Sequence, residues 1–405
     1  MNLFDPRTFS TDWEILVVDK LNRCINSERL LGFSGLLRSE LDLPIQVDWN
    51  SIEFALGINS SFEQIWNRIL SVTDRATQLM REFDLDLFPS GSHPVEPMFN
   101  SSHIHVGTIH DEAGGVRLEN RLMRYTPVFA ALAANSPTTS GMRGDFKSYR
   151  VRRQAHGAVR PNESRDPGTS QPGWGNDATP KIYGAPTMEI RIPDGASSRR
   201  LLAEFATFIA AYVHYQGTKS EDYQPTPDEY REYLSNRWVA ARFGMQATFM
   251  WNGRPKPVTE LIDEMLDECQ EELGVLGVKR SELGIINIMI TKRICQADLL
   301  IGLMERYPDQ FCLASVYGKL VRQWDVFDEY VQSADALDPV LPLNDEAVIA
   351  EHFAFVGEGT YFYRMRDVMF YPQTITEEII EQMIERKLIR REITPESGIL
   401  LHRIV

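Results

Sequence analysis

The chain has 405 residues, enough for one large domain and a smaller one. Its 42 Lys and Arg against 57 Asp and Glu give a formal net charge of -15, which argues against duplex nucleic acid or an anionic membrane surface as a partner. No apolar run approaches the ~18 residues of a membrane span and no charged-then-apolar leader opens the chain, so the expected location is cytoplasmic. Cys24, Cys269, Cys295 and Cys312 have no paired spacing and read as reduced, packed thiols rather than a disulfide frame or a zinc site.

In chain order, the first expected element is a strand over 12–18 (Asp-Trp-Glu-Ile-Leu-Val-Val), whose alternation places Asp12 and Glu14 on one side. A second strand over 51–56 carries Glu53. A long amphipathic helix follows over 61–83, opened by a Ser-Ser-Phe-Glu cap-like signal. The run 102–107 (Ser-His-Ile-His-Val-Gly) sets His103 and His105 on the same side of a third strand, and a second helix is expected over 118–134. The segment 156–186 is rich in Pro and Gly and reads as one long irregular loop, expected to be mobile and to close over a ligand. After it, Thr-Met-Glu-Ile-Arg-Ile over 187–192 makes a strand with Glu189 and Arg191 on one face. Helices are expected over 199–215, 227–243, 258–273 and most of 286–333.

Strands and helices do not alternate as a parallel sheet requires, so the fold class is α+β. Acids in strands are costly to bury unless something cationic pairs with them. Gathered on one sheet face with a histidine, they would form a hard, oxygen-rich site suited to Mg²⁺ or Mn²⁺ that also holds phosphates.

These runs, together with Gly91-Ser92-His93-Pro94, Ala134-Asn135-Ser136-Pro137 and Asn236-Arg237-Trp238, resemble in order and spacing the glutamate-cysteine ligase-like carboxylate-amine ligases over roughly 10 to 310. The resemblance implies a glutamine synthetase-like antiparallel sheet with flanking helices, holding ATP and divalent ions. It implies an ATP-dependent ligase that forms an amide through an acyl phosphate, with γ-glutamyl transfer from glutamate to cysteine or another amine as the leading case. Residue by residue, it makes Asp12, Glu14, Glu53, His105 and Glu189 metal ligands, although Asp12 stands where the family usually has Glu. Arg191 and Arg237 become catalytic candidates, Arg143, Arg150 and Arg191 contact the nucleotide, and His93, His103 and Asn135 serve as substrate or supporting residues. Arg242 reads as a solvated charge on the helix of Arg237. Two other readings remain open at this point: a noncatalytic relative acting as a binding or regulatory protein, and a metal-dependent hydrolase suggested by His-x-His, which would need a parallel βα barrel.

Beyond a linker-like stretch near 334–342 the character changes. Residues 1–333 are expected to form the catalytic domain and 345–405 a small C-terminal helix-hairpin module that resembles a winged helix and lies outside the family resemblance. Its helix over 376–387 is acidic at Glu377, Glu378 and Glu381, so oligomerisation or a protein partner is favoured over DNA.

Overall fold

The computed structural model describes residues 8–340 apart from 42, 49–50, 108–110, 140–141, 144–145, 154–176, 182–185 and 220–222, together with Glu385 and the strands 389–394 and 398–403. A seven-stranded sheet organises the chain. Its strands are β1 (Phe9–Asp19), β2 (Ile45–Asp48), β3 (Ser51–Ala55), β4 (Leu85–Phe88) and β5 (Ser102–Val106), then β8 (Ala178–Lys181) and β9 (Thr187–Ile190). The short pair β6 (Thr138–Thr139) and β7 (Met142–Arg143) lies apart. The order is β2-β3-β1-β5-β9-β8, with β4 pairing the far end of β1, and every pairing is antiparallel. That topology removes the hydrolase reading, because a barrel of that kind needs parallel strands joined by helices.

Register decides which side chains meet. Glu14 stands opposite Glu53, Asp12 opposite His103, and His105 opposite Glu189, so residues read as alternating in four separate runs share one face. The other face is apolar: Trp13, Ile15, Ile52, Phe54, Ile104, Met188 and Ile190 are buried. The helices begin with α1 (Ser27–Leu41), α2 (Phe62–Glu82), α3 (Glu112–Leu122), α4 (Thr126–Ala133), α5 (Tyr149–Arg153) and α6 (Arg199–Thr218). The last of these packs against β1, β5 and α2, and is buried along nearly its whole length from Leu201 to His214. The Trp13 indole donates to the Ala196 carbonyl just before α6, fixing sheet to helix. Then come α7 (Pro227–Phe243), α8 (Val258–Glu268), α9 (Gln270–Val275), α10 (Gly284–Lys292), α11 (Gln296–Arg306), α12 (Gln310–Val321) and α13 (Val326–Ser333), with a two-stranded hairpin, β10 (Thr248–Trp251) and β11 (Arg254–Pro257), after α7. No helix among the described residues is long and apolar enough to cross a membrane.

Three expectations need correction. The helix expected over 118–134 is two helices joined by a 3₁₀ turn at Met123–Tyr125; Pro127 sits in the first turn of α4, where its missing N–H does no harm, and Asp111 caps α3 ahead of the helix-weakening Gly114-Gly115 pair. The helix expected over 258–273 breaks at Cys269. Most of 156–186 lies outside the described residues, but Ala178–Lys181 is a strand at the sheet edge, where Pro180 is tolerated. In the C-terminal module the hairpin β12 (Ile389–Thr394) and β13 (Gly398–Arg403) is formed, and the two helices and short strand expected before it lie, apart from the helical Glu385, outside the described residues.

Candidate active site

The polar face of the sheet is built from β1, β3, β5 and β9. One carboxylate oxygen of Glu14 accepts the backbone N–H of Ser101 at 2.7 Å, and the Ser101 hydroxyl bonds His103 Nε2 at 2.7 Å. Glu14, Glu53 and His103 each offer one ligand atom, all within 4.8 Å of one another. Two oxygen donors and an imidazole suit Mg²⁺ or, better matched to the nitrogen, Mn²⁺. Without a cation the arrangement is unfavourable, since like charges directly opposite in a ladder repel. Burial, and then the charges of Asp12, Glu14 and Asp48, push the Glu53 carboxyl up to about 8. Burial also raises Glu14, against the opposing charge of Arg150. The residues present therefore fit a divalent ion.

The two histidines differ. Burial, reinforced by Arg191, Arg150, His105 and Lys181, holds His103 well below its usual range, leaving a neutral ring able to donate a lone pair. His105 Nε2 lies 3.0 Å from Asp12 Oδ2 and 3.6 Å from Glu189 Oε1. Burial disfavours its charged form, but the hydrogen bond and charge of Asp12, with Glu189, outweigh this and raise it. So His103 joins the three-donor group, where the family pattern points to His105, and the short Asp12 carboxylate is engaged with the His105 ring.

Glu189 is 2% exposed and held between two cations, with Arg191 Nη1 2.8 Å from one oxygen and Lys181 Nζ 2.9 Å from the other; the neutral His103 ring lies 3.6 Å away at Nδ1. Lys181 escaped the sequence reading because it falls in the Pro- and Gly-rich segment. Its place on the sheet depends on the pairing of β8 with β9.

The remaining candidates are engaged elsewhere. The buried Arg150, expected to contact the nucleotide, donates to the carbonyls of Arg191, Ile192 and Pro193 and faces Asp194 at 3.6 Å, which positions the chain leaving β9. Arg237 holds Asp177 through two hydrogen bonds of 2.8 and 3.1 Å and donates to the Val151 carbonyl; Tyr233 donates to the same carboxylate. Arg143 lies on β7, paired with Thr138. Asn135 donates through its backbone to Asp194 and through its side chain to the Gly195 carbonyl. His93 bonds the Asn22 carbonyl through Nε2 and accepts the N–H groups of Val95 and Glu96 at Nδ1, which closes the turn. Cys24 and Glu96 lie close enough to His93 to form a ligand-type triad, but both His93 nitrogens are already engaged. Cys312 is exposed, not packed. Arg242, expected to be solvated, is half-buried with its guanidinium 5.2 Å over Phe146.

The family model described as glutamate-cysteine ligase family 2 (GCS2) matches residues 95–156, which hold both histidines, Asn135 and Arg150. A Paracidovorax citrulli (strain AAC00-1) protein, named provisionally as a glutamate--cysteine ligase 2, is 23% identical over 323 residues, covering 65% of this chain and 81% of its own. The glutamate--cysteine ligase of Natronomonas pharaonis is 29% identical over 196 residues, 44% of this chain and 53% of its own. Over these stretches the chain is similar to glutamate-cysteine ligases. The fold is similar to that of a bifunctional glutathione synthetase from Pasteurella multocida, with a TM-score of 0.52 at 11% identity over 80% of this chain and 53% of that one. The chain thus spans about half the length of two of the proteins it matches. The matched family segment includes β5 with His103 and His105, while Glu14, Glu53 and Glu189 lie outside it.

Proposed function

We propose that the protein consumes ATP to activate the γ-carboxylate of glutamate as an acyl phosphate, which an amine such as that of cysteine then attacks to give an amide and free phosphate. The observation that carries this is the donor group of Glu14, Glu53 and His103 on the same sheet face as Arg191. Phosphoryl transfer asks a protein mainly for positioning and charge neutralisation, and this face supplies carboxylates for a cation and a guanidinium for anionic oxygens without a covalent nucleophile. When bound, Mg²⁺ or Mn²⁺ would neutralise phosphate charge; Glu14, Glu53 and His103 would hold it. Ser101 keeps Glu14 and His103 aimed into the face, and Arg150 fixes the backbone that carries Arg191.

Phosphate release from ATP and Mg²⁺ tests the reading over a panel of amino acids offered singly and in pairs. Release that requires glutamate, and that rises when cysteine or a second amine is added, is expected. Absence of release with every pair, in protein that binds the cation, would overturn it in favour of a noncatalytic relative.

A further inference from the structure

The polar face of the sheet is electrically divided. Asp12, Glu14, Asp48 and Glu53 crowd the β1-β2-β3 side, while the cations gather around Glu189 on the β8-β9 side. Among the described residues, the ion pairs of Lys181 and Arg191 are to Glu189 alone. That carboxylate is 2% exposed, whereas the side chains of Lys181 and Arg191 are 35% and 26% exposed. An ammonium has three donors and a guanidinium five, and a single carboxylate cannot absorb them all. Glu189 therefore holds two half-open cations side by side from below, next to a group of acids suited to a divalent ion. An ion at the acidic end and two cations at the other match a polyphosphate tail, which carries oxygens to satisfy both.

Resting on the reading that the protein uses ATP, we infer that Lys181, beside Arg191, grips oxygens of the polyphosphate tail, and that Glu189 is the positioning residue that aims both. Lys181 lies outside the segment matched by the family model. Its role follows from the pairing of β8 with β9, which sets Thr179 opposite Glu189 and Lys181 opposite Thr187, and so delivers the ammonium to the carboxylate.

Calorimetric titration of the full chain tests this with three ligands: β,γ-imido-ATP with Mg²⁺, AMP, and Mn²⁺ alone. Lys181→Met should weaken the imido-ATP complex by about tenfold, the loss of one charge-assisted contact, while AMP binding stays within about twofold. Mn²⁺ alone should bind as well or better, because a nearby positive charge is gone. Lys181→Arg should recover most of the imido-ATP affinity, and Lys181→Gln takes the place of Lys181→Met if melting shows that variant to be unfolded. Unchanged imido-ATP affinity in the variant overturns the assignment, and so does a parallel loss for all three ligands, which would mark Lys181 as a structural strut. Failure of the unaltered protein to bind imido-ATP would instead overturn ATP use itself.

Discussion

Glu14 and Glu53 face each other directly across the β1–β3 ladder, with Glu14 buried and Glu53 half-buried. Like charges in that relation destabilise a sheet by up to about 1 kcal/mol, a cost that the proposed cation would relieve. Glu53→Gln should raise the melting midpoint of the metal-free protein at pH 8 while lowering ATP turnover by at least about a hundredfold, a loss of ~2.7 kcal/mol in transition-state stabilisation. Scanning calorimetry and phosphate release read the two effects. A variant that melts earlier yet turns over normally would show that Glu53 is a structural acid.

The raised Glu53 carboxyl gives the proposed cation binding a pH dependence of definite sign. Below about 8 the free site holds a proton that the cation must displace, so apparent Mn²⁺ affinity should climb as pH rises from 6 toward 8 and level off above. The metal-free fold behaves oppositely. A carboxyl whose folded value lies above its unfolded one makes its full contribution to stability at acidic pH, and that contribution is lost as pH rises through about 8. Titrations at several pH values check the first trend and chemical denaturation the second; a flat Mn²⁺ affinity across this window would remove the protonated Glu53.

Arg237 was expected at the chemistry, but its guanidinium lies on the 2%-exposed carboxylate of Asp177. Breaking a buried pair on one side leaves an uncompensated charge worth about 3–5 kcal/mol. Arg237→Ala should therefore cost roughly that much in denaturant unfolding, and adding Asp177→Asn should restore part of it. Full stability in the single variant, with turnover abolished, would return Arg237 to a catalytic role.

Gly91 comes so close to the loop after α4 that a Cβ there would lie 2.7 Å from the Asn135 carbonyl oxygen. The Gly-Ser-His-Pro turn and the Asn-Ser-Pro run, far apart in sequence, are thus packing partners. Gly91→Ala should destabilise the protein by about 1–3 kcal/mol, the usual effect of overpacking, and lower kcat without changing the pH at which Mn²⁺ affinity levels off. A neutral effect on melting would show that the two loops can part.

A chain truncated after residue 342 should change its assembly state in light scattering yet keep Mn²⁺ affinity, since Glu14, Glu53 and His103 all lie on the large sheet. An unchanged mass would leave partner recruitment as the better account of the C-terminal segment.

The two-residue period of a strand determines facing whatever the tertiary context, so Asp12 with Glu14, His103 with His105, and Glu189 with Arg191 could each be placed on one face from sequence alone. Helix α7 was equally legible, since Pro227 can only open a helix and the apolar spacing runs unbroken to Phe243. Periodicity says nothing about which strand lies beside which. Antiparallel register alone sets His103, rather than His105, within reach of Glu14 and Glu53, and brings Lys181 to Glu189 from a segment whose composition reads as loop. Nor does an arginine's sequence context reveal its acceptors. Arg150 and Arg237 are committed to carbonyls and to Asp177 because burial leaves each donor in need of a nearby partner, and the packing of β9, α5 and α7 supplies those acceptors.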